Sequence, residues 1–166
     1  YVKIPSNTPI LGAAKFSGKT RKGWSLGLIE SITKAVHANI DLEGNRRKEL
    51  VEPLANYTVG RIQKDFNQGK TIVGAILTGV NRQSNLNHTL HTAAYSGGLD
   101  FVHFWKGRAW YLRGNLVWSS VQGSKEKIYN TQTSFEHLFQ RTNASETEVD
   151  PERTSLTGTG STLKLG

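Results

Sequence analysis

Residues 12–20 read GAAKFSGKT, and a glycine followed by Gly-Lys-Thr has the outline of a phosphate-binding loop. Such a loop needs four residues between its first glycine and the Gly-Lys, so that successive backbone N–H groups can cradle a phosphate. Gly12 and Gly18 are separated by five, and Ala13 stands where glycine is required. At the second such tripeptide, Gly69-Lys70-Thr71, Lys64 occupies the upstream glycine position. Neither stretch reads as a nucleotide site.

Other chemistry is equally thin. Paired carboxylates can hydrolyse glycosidic bonds, but Asp41, Glu43, Glu49, Glu52, Glu146, Glu148, Asp150 and Glu152 are scattered through connecting segments. Nothing in their spacing fixes a pair at a working distance. His88 and His91 lie three apart with no third ligand beside them, so no metal site is expected. No nucleophile elbow is present. Asn56-Tyr57-Thr58, Asn87-His88-Thr89 and Asn143-Ala144-Ser145 match the glycosylation sequon, a pattern short enough to arise by chance. The one basic run, Arg46-Arg47-Lys48, is flanked by carboxylates and reads as a solvated loop, with contact to anionic lipopolysaccharide as the alternative. No catalytic residue, metal or cofactor is assigned.

Elements, rather than motifs, carry the information. The 166 residues suffice for one domain, with 36% hydrophobic and only 20% charged residues, 17 glycines and a net charge of +8. Cysteine is absent, which excludes disulfides and thiolate ligands. Methionine is absent even at position 1, so the chain reads as part of a longer product. No apolar run reaches the ~18 residues of a membrane helix.

Strand-like segments come in pairs joined by short turns. Ile10–Lys19 and Gly23–Ile32 flank Thr20-Arg21-Lys22; Ala55–Phe66 and Lys70–Val80 flank Asn67-Gln68-Gly69; Ala93–Trp105 and Ala109–Val121 flank Lys106-Gly107-Arg108. Leu156–Leu165 forms a seventh. The Gly-Lys-Thr tripeptides thus become the rims of hairpin turns. The connections 33–54, 81–92 and 122–155 are long, so short and long loops alternate. That order is the pattern of a transmembrane β-barrel. The last connection holds Ile128, Phe135, Leu138 and Phe139 at helical spacing, which predicts a short amphipathic helix within Lys125–Arg141.

Period-two alternation separates two faces. Trp110, Leu112, Gly114, Leu116 and Trp118 share one, and its two tryptophans lie about 26 Å apart at ~3.3 Å per residue. Tilted by roughly 40°, that span approaches the ~25 Å apolar band of a barrel, with an aromatic residue at each edge. Trp110, Leu112, Leu116 and Trp118 are therefore expected to face lipid. Arg61, Gln63, Asp65, Asp100, Arg113 and Asn115 are expected to form a polar network facing the lumen. Val102 and Phe104 share that second face, which argues against a wide open pore.

Thr8–Thr20 (TPILGAAKFSGKT), Asn56–Phe66 (NYTVGRIQKDF), Gly98-Leu99-Asp100-Phe101 and Asp150–Leu156 (DPERTSL) follow one another in an order that resembles a known family. It is a bacterial outer-membrane β-barrel family of unknown function that follows an N-terminal domain like the ninth family of carbohydrate-binding modules. The resemblance spans most of the chain. It implies a bacterial outer-membrane location, an all-β antiparallel up-and-down barrel and a link to glycan binding or uptake. The N-terminal module and the remaining strands would lie outside this chain. The expected partners are outer-membrane lipid and lipopolysaccharide, further strands of the same barrel or other subunits, and glycans; nucleic acid is not among them. The expected function is a membrane-embedded scaffold or pore. The alternatives are a soluble glycan-binding β-sandwich using Trp24, Trp105 and Trp110, and part of a glycan-processing hydrolase whose chemistry lies elsewhere.

Overall fold

A computed structural model describes residues 5–83, 90–137 and 148–166. Among the described residues there are nine strands and one α-helix: β1 (Ile10–Lys19), β2 (Trp24–Thr33), β3 (Val36–Leu42), β4 (Asn45–Glu52), β5 (Ala55–Phe66), β6 (Thr71–Arg82), β7 (Ala93–Trp105), β8 (Trp110–Gln122), α1 (Lys125–Gln132) and β9 (Ser155–Leu165). Seven form one antiparallel sheet in the order β1-β2-β5-β6-β7-β8-β9. Each strand therefore pairs with the next main strand along the chain, as local hairpin closure favours. The sheet is open: β1 and β9 each have a neighbour on one side only. The fold is all-β and antiparallel, as the alternation predicts, and closure into a barrel is not observed.

The three short turns lie together at one end. In two of them every central residue has positive φ: Asn67 (50°), Gln68 (58°) and Gly69 (78°), then Lys106 (47°), Gly107 (67°) and Arg108 (72°). In the first turn, positive φ falls on Gly23 (83°), one residue beyond the expected triplet. A Cβ there would sit 2.6 Å from the Asp65 carbonyl oxygen, so only glycine fits where the turn crosses β5.

Two expectations about the connections need correction. Residues 33–54 are not an irregular loop but a hairpin, β3–β4, closed by Glu43 (φ 52°) and Gly44 (φ 86°). Positive φ at both central residues matches the right-handed twist of the flanking strands. Arg46-Arg47-Lys48 accordingly lies on β4, where Arg46 meets Asp41 at 2.9 Å and Arg47 meets Glu49 at 3.3 Å. The predicted helix exists but ends at Gln132. Just beyond it, the hydroxyls of Thr133 and Ser134 donate to the carbonyls of Tyr129 and Thr131, which competes with helix continuation. Phe135 lies past the helix and is exposed, while Leu138 and Phe139 fall outside the described residues.

The core sits at the end of the sheet opposite the turns. Apart from glycines, the buried residues among those described are Thr33, Val36, Ala38, Ala55, Ala93, Ile128 and Gln132, which come from strand starts and ends, the β3–β4 hairpin and α1. Ser124 caps α1 by accepting from the Lys127 N–H. Gln132 donates to the Asp150 carbonyl and accepts from the Asp150 N–H, both at 2.8 Å, so its buried amide is satisfied.

Candidate functional site

Register assigns each expected residue to a face. Arg61 is opposite Gly27 and Ile76, Gln63 opposite Gly74, Gly74 opposite Asp100, Asp100 opposite Asn115, and Val102 opposite Arg113. Arg61, Gln63, Asp65, Asp100, Arg113 and Asn115 therefore share one face of the sheet. Leu112 is opposite His103, Leu116 opposite Leu99, and Trp118 opposite Gly97, which puts Trp110, Leu112, Leu116 and Trp118 on the other.

Four of the six polar residues form a connected row. The Arg61 guanidinium donates to both Asp100 oxygens, at 2.5 and 3.0 Å. Its second nitrogen also reaches the Gln63 carbonyl oxygen at 3.5 Å, and Gln63 donates to Asp65 at 3.1 Å. Lys19 on β1 closes the row by donating to Asp65 at 3.4 Å. The Arg61–Asp100 pair joins strands that are not neighbours, since β6 runs between them. It can do so because Gly74 has no side chain: a Cβ there would lie 2.5 Å from an Arg61 nitrogen and 2.8 Å from Asp100 Oδ2. A bidentate arginine–carboxylate pair is the strong form of such a contact.

Arg113 and Asn115 share the face but make no side-chain hydrogen bond to this row. Arg113 stands opposite Lys164 of β9 instead. Lys15, two residues from Ser17 on β1, adds another cation to the face. Lys19 and Gly74 are the members that sequence reasoning missed. The parity of Lys19 with Ser25 and Gln63 was the available signal.

The opposite face is apolar through its middle: Phe16, Leu26, Leu28, Ile62, Val73, Leu77, Leu99, Leu116 and Leu163 lie on it, and most are exposed. Aromatic rings cover two of its glycines. Trp118 lies over Gly97, where a Cβ would meet the indole nitrogen at 2.5 Å, and Phe101 lies over Gly114. Beside Gly114 a groove of about 460 Å³ runs between Val73, Leu99, Phe101, Leu116 and Leu163.

Both ends of this apolar band are marked. At the turn end stand Trp24, Phe66, Trp105 and Trp110, with Lys64 Nζ 5.2 Å from the Trp24 ring centroid. At the other end Glu30 accepts from Asn56 and from the Thr58 hydroxyl, the latter at 2.6 Å, and Tyr95 donates to Asn81.

The loop end holds a second polar cluster. The Thr131 hydroxyl donates to the Lys127 carbonyl at 2.9 Å, so it accepts from His91 Nε2–H, also at 2.9 Å. Burial, reinforced by the positive charges of Lys127 and Arg82, holds the His91 pKa below its ordinary value. Arg82 donates to the His91 carbonyl at 3.3 Å and lies 3.7 Å from Glu52. His88 falls outside the described residues. Among the described residues no group of three or more His, Asp or Glu could hold a metal ion, and no helix is long and apolar enough to cross a membrane.

A family model described as a domain of unknown function, DUF5916, matches residues 1–149. The chain therefore belongs to the DUF5916 family; β9 lies beyond the matched range. No curated protein and no solved structure matches it.

Proposed function

We propose that this member of the DUF5916 family is a portion of an outer-membrane β-barrel, acting as a membrane-embedded scaffold or a narrow, ion-paired passage. One observation carries the reading: the sheet leaves an apolar face of leucine, isoleucine, valine and phenylalanine uncovered by any protein layer among the described residues. In water such a surface marks an interaction site. In a bilayer it is the ordinary outer face of a barrel strand.

Three further features support it. The seven strands of the sheet are 10–13 residues long, enough to cross the hydrocarbon when tilted. Aromatic residues stand at the turn-end rim of the band, as at a membrane interface. The charged row Lys19–Asp65–Gln63–Arg61–Asp100 lies on the opposite face, where paired charges would satisfy one another in a confined lumen. On this reading β1 and β9 pair with further strands, because unpaired backbone groups cannot face lipid. A soluble sandwich needs two packed layers, whereas these strands fall in one sheet.

The test is refolding of the parent protein with and without phospholipid vesicles. The expected result is β-structure and heat-dependent gel mobility only when lipid or detergent is present. A folded, freely soluble monomer in plain buffer would overturn the proposal. The link to glycans rests on the resemblance alone; vesicle-bound protein that retains no oligosaccharide from a broad panel would remove it.

A further inference from the structure

All three short turns lie at one end of the sheet, and their charge is nearly of one sign. The segments 19–24, 64–71 and 104–110 carry Lys19, Arg21, Lys22, Lys64, Lys70, Lys106 and Arg108, against the single carboxylate Asp65. Lys19 already pairs with that carboxylate. The loop end differs, since Asp41, Glu49, Glu52, Asp150 and Glu152 are mixed there with lysines and arginines in ion pairs.

The turn-end cations are bound up with aromatic rings. Lys64 Nζ lies 5.2 Å from the Trp24 centroid and 5.5 Å from that of Phe66, on the apolar face, and the Arg108 guanidinium lies 5.5 Å from the centroid of Phe104, on the opposite face. Three of the four tryptophans, Trp24, Trp105 and Trp110, stand at this rim. A belt of indoles with a ring of cations just beyond it matches the profile of an anionic leaflet: hydrocarbon, interface, then phosphate.

We propose that the turn end is a docking surface for anionic phospholipid headgroups, with Arg21, Lys22, Lys106 and Arg108 reaching the phosphates. The inference rests on the barrel reading and adds to it the identity of the leaflet partner and the end that meets it. Arginine suits the role because its planar fork can engage two phosphate oxygens at once. Each cation brought near an anionic surface strengthens association about five-fold.

The backbone supplies a clean test. Lys106 and Arg108 have φ of 47° and 72°, a region that glycine adopts at lower cost. Lys106→Gly and Arg108→Gly should therefore preserve the turn's backbone while removing the charge. Parent protein folded into phosphatidylcholine vesicles would be titrated with brominated phosphatidylglycerol and, separately, with brominated phosphatidylcholine, reading tryptophan quenching.

The expected result is stronger quenching by phosphatidylglycerol. That preference should fall about ten-fold or more in K106G/R108G and shrink in ~0.5 M salt. Millimolar inorganic phosphate should leave it unchanged, because a single phosphate does not reproduce a charged leaflet. Equal quenching by the two lipids, or a preference that survives the double substitution, would overturn the inference and leave the barrel reading standing. No quenching by either lipid would overturn both.

Discussion

The two ends of this molecule are stabilised by different means. At the loop end, Val36, Ala38, Ala55, Ala93, Ile128 and Gln132 are buried; the Gln132 amide is paired with the Asp150 backbone, whereas the buried Arg82 Nε makes no hydrogen bond and has only the Glu52 carboxylate at 3.7 Å. In the strands between that cap and the turns, no side chain but those of the terminal residues Thr33, Ala55 and Ala93 is buried, while Leu77, Leu99 and Leu116 are roughly half exposed. A buried cap and a band with nothing over it among the described residues are packed by different rules. The lesson is that one chain can obey burial rules at one end and leave them unmet a few residues away, where the described residues supply no second layer.

Four measurements would break or sharpen that contrast. The largest effect is expected from Ile128→Ala, which removes the fully buried side chain of α1 at a cost of about 2–5 kcal/mol. Hydrogen exchange should show α1 amides losing protection while β5–β8 keep theirs. Simultaneous loss in the sheet would mean that the two regions are one cooperative unit.

Next comes Leu116→Arg, in the middle of the apolar face. In a bilayer it should cost about 2–4 kcal/mol by denaturant titration in vesicles. An unchanged midpoint would place that face in water.

Gly74→Ala should displace the Arg61–Asp100 pair. Its effect on stability measures that pair's surroundings: about 1 kcal/mol or less if solvated, more in a dry interior. A double-mutant cycle with Arg61→Gln and Asp100→Asn isolates the coupling.

The smallest effect concerns His91. Its folded-state pKa is lowered, so the unfolded chain binds its proton more readily. Cap stability should therefore be flat above about pH 6.5 and fall below it, by at most ~1.4 kcal/mol per pH unit. The decline should level off once pH drops below the folded-state value. His91→Gln should abolish the slope in α1 exchange; a slope that persists assigns it to another group.

Much of this was legible in the residues. Alternation at Trp110–Trp118 and at Arg61–Asp65 separated the two faces, because a strand's period of two leaves no other choice. Positive-φ turns at 67–69 and 106–108 followed from Asn and Gly. The β3–β4 hairpin was not foreseen, since Glu43-Gly44 lacks the usual Asn or Asp at the first position and its strands carry many charges. Apolar spacing out to Phe135 overruns the end of α1, because the hydroxyls of Thr131, Thr133 and Ser134 donate to backbone carbonyls of the helix. The meeting of Arg61 with Asp100 was only half visible. Parity put them on one face, but the contact depends on an absent side chain on the strand between them.

That absence has a consequence for how the sheet is put together. β6 carries Ile72, Val73, Ala75, Ile76 and Leu77, apolar on both sides, so its pattern alone cannot tell which way it should face. Sliding it by one position would bring Val73 or Ala75 under the Arg61–Asp100 bridge, and a methyl group would collide with the ions. Gly74 thus works as a keyway. The strand least able to specify its own alignment is indexed by a gap that admits its neighbours' charges at one setting only.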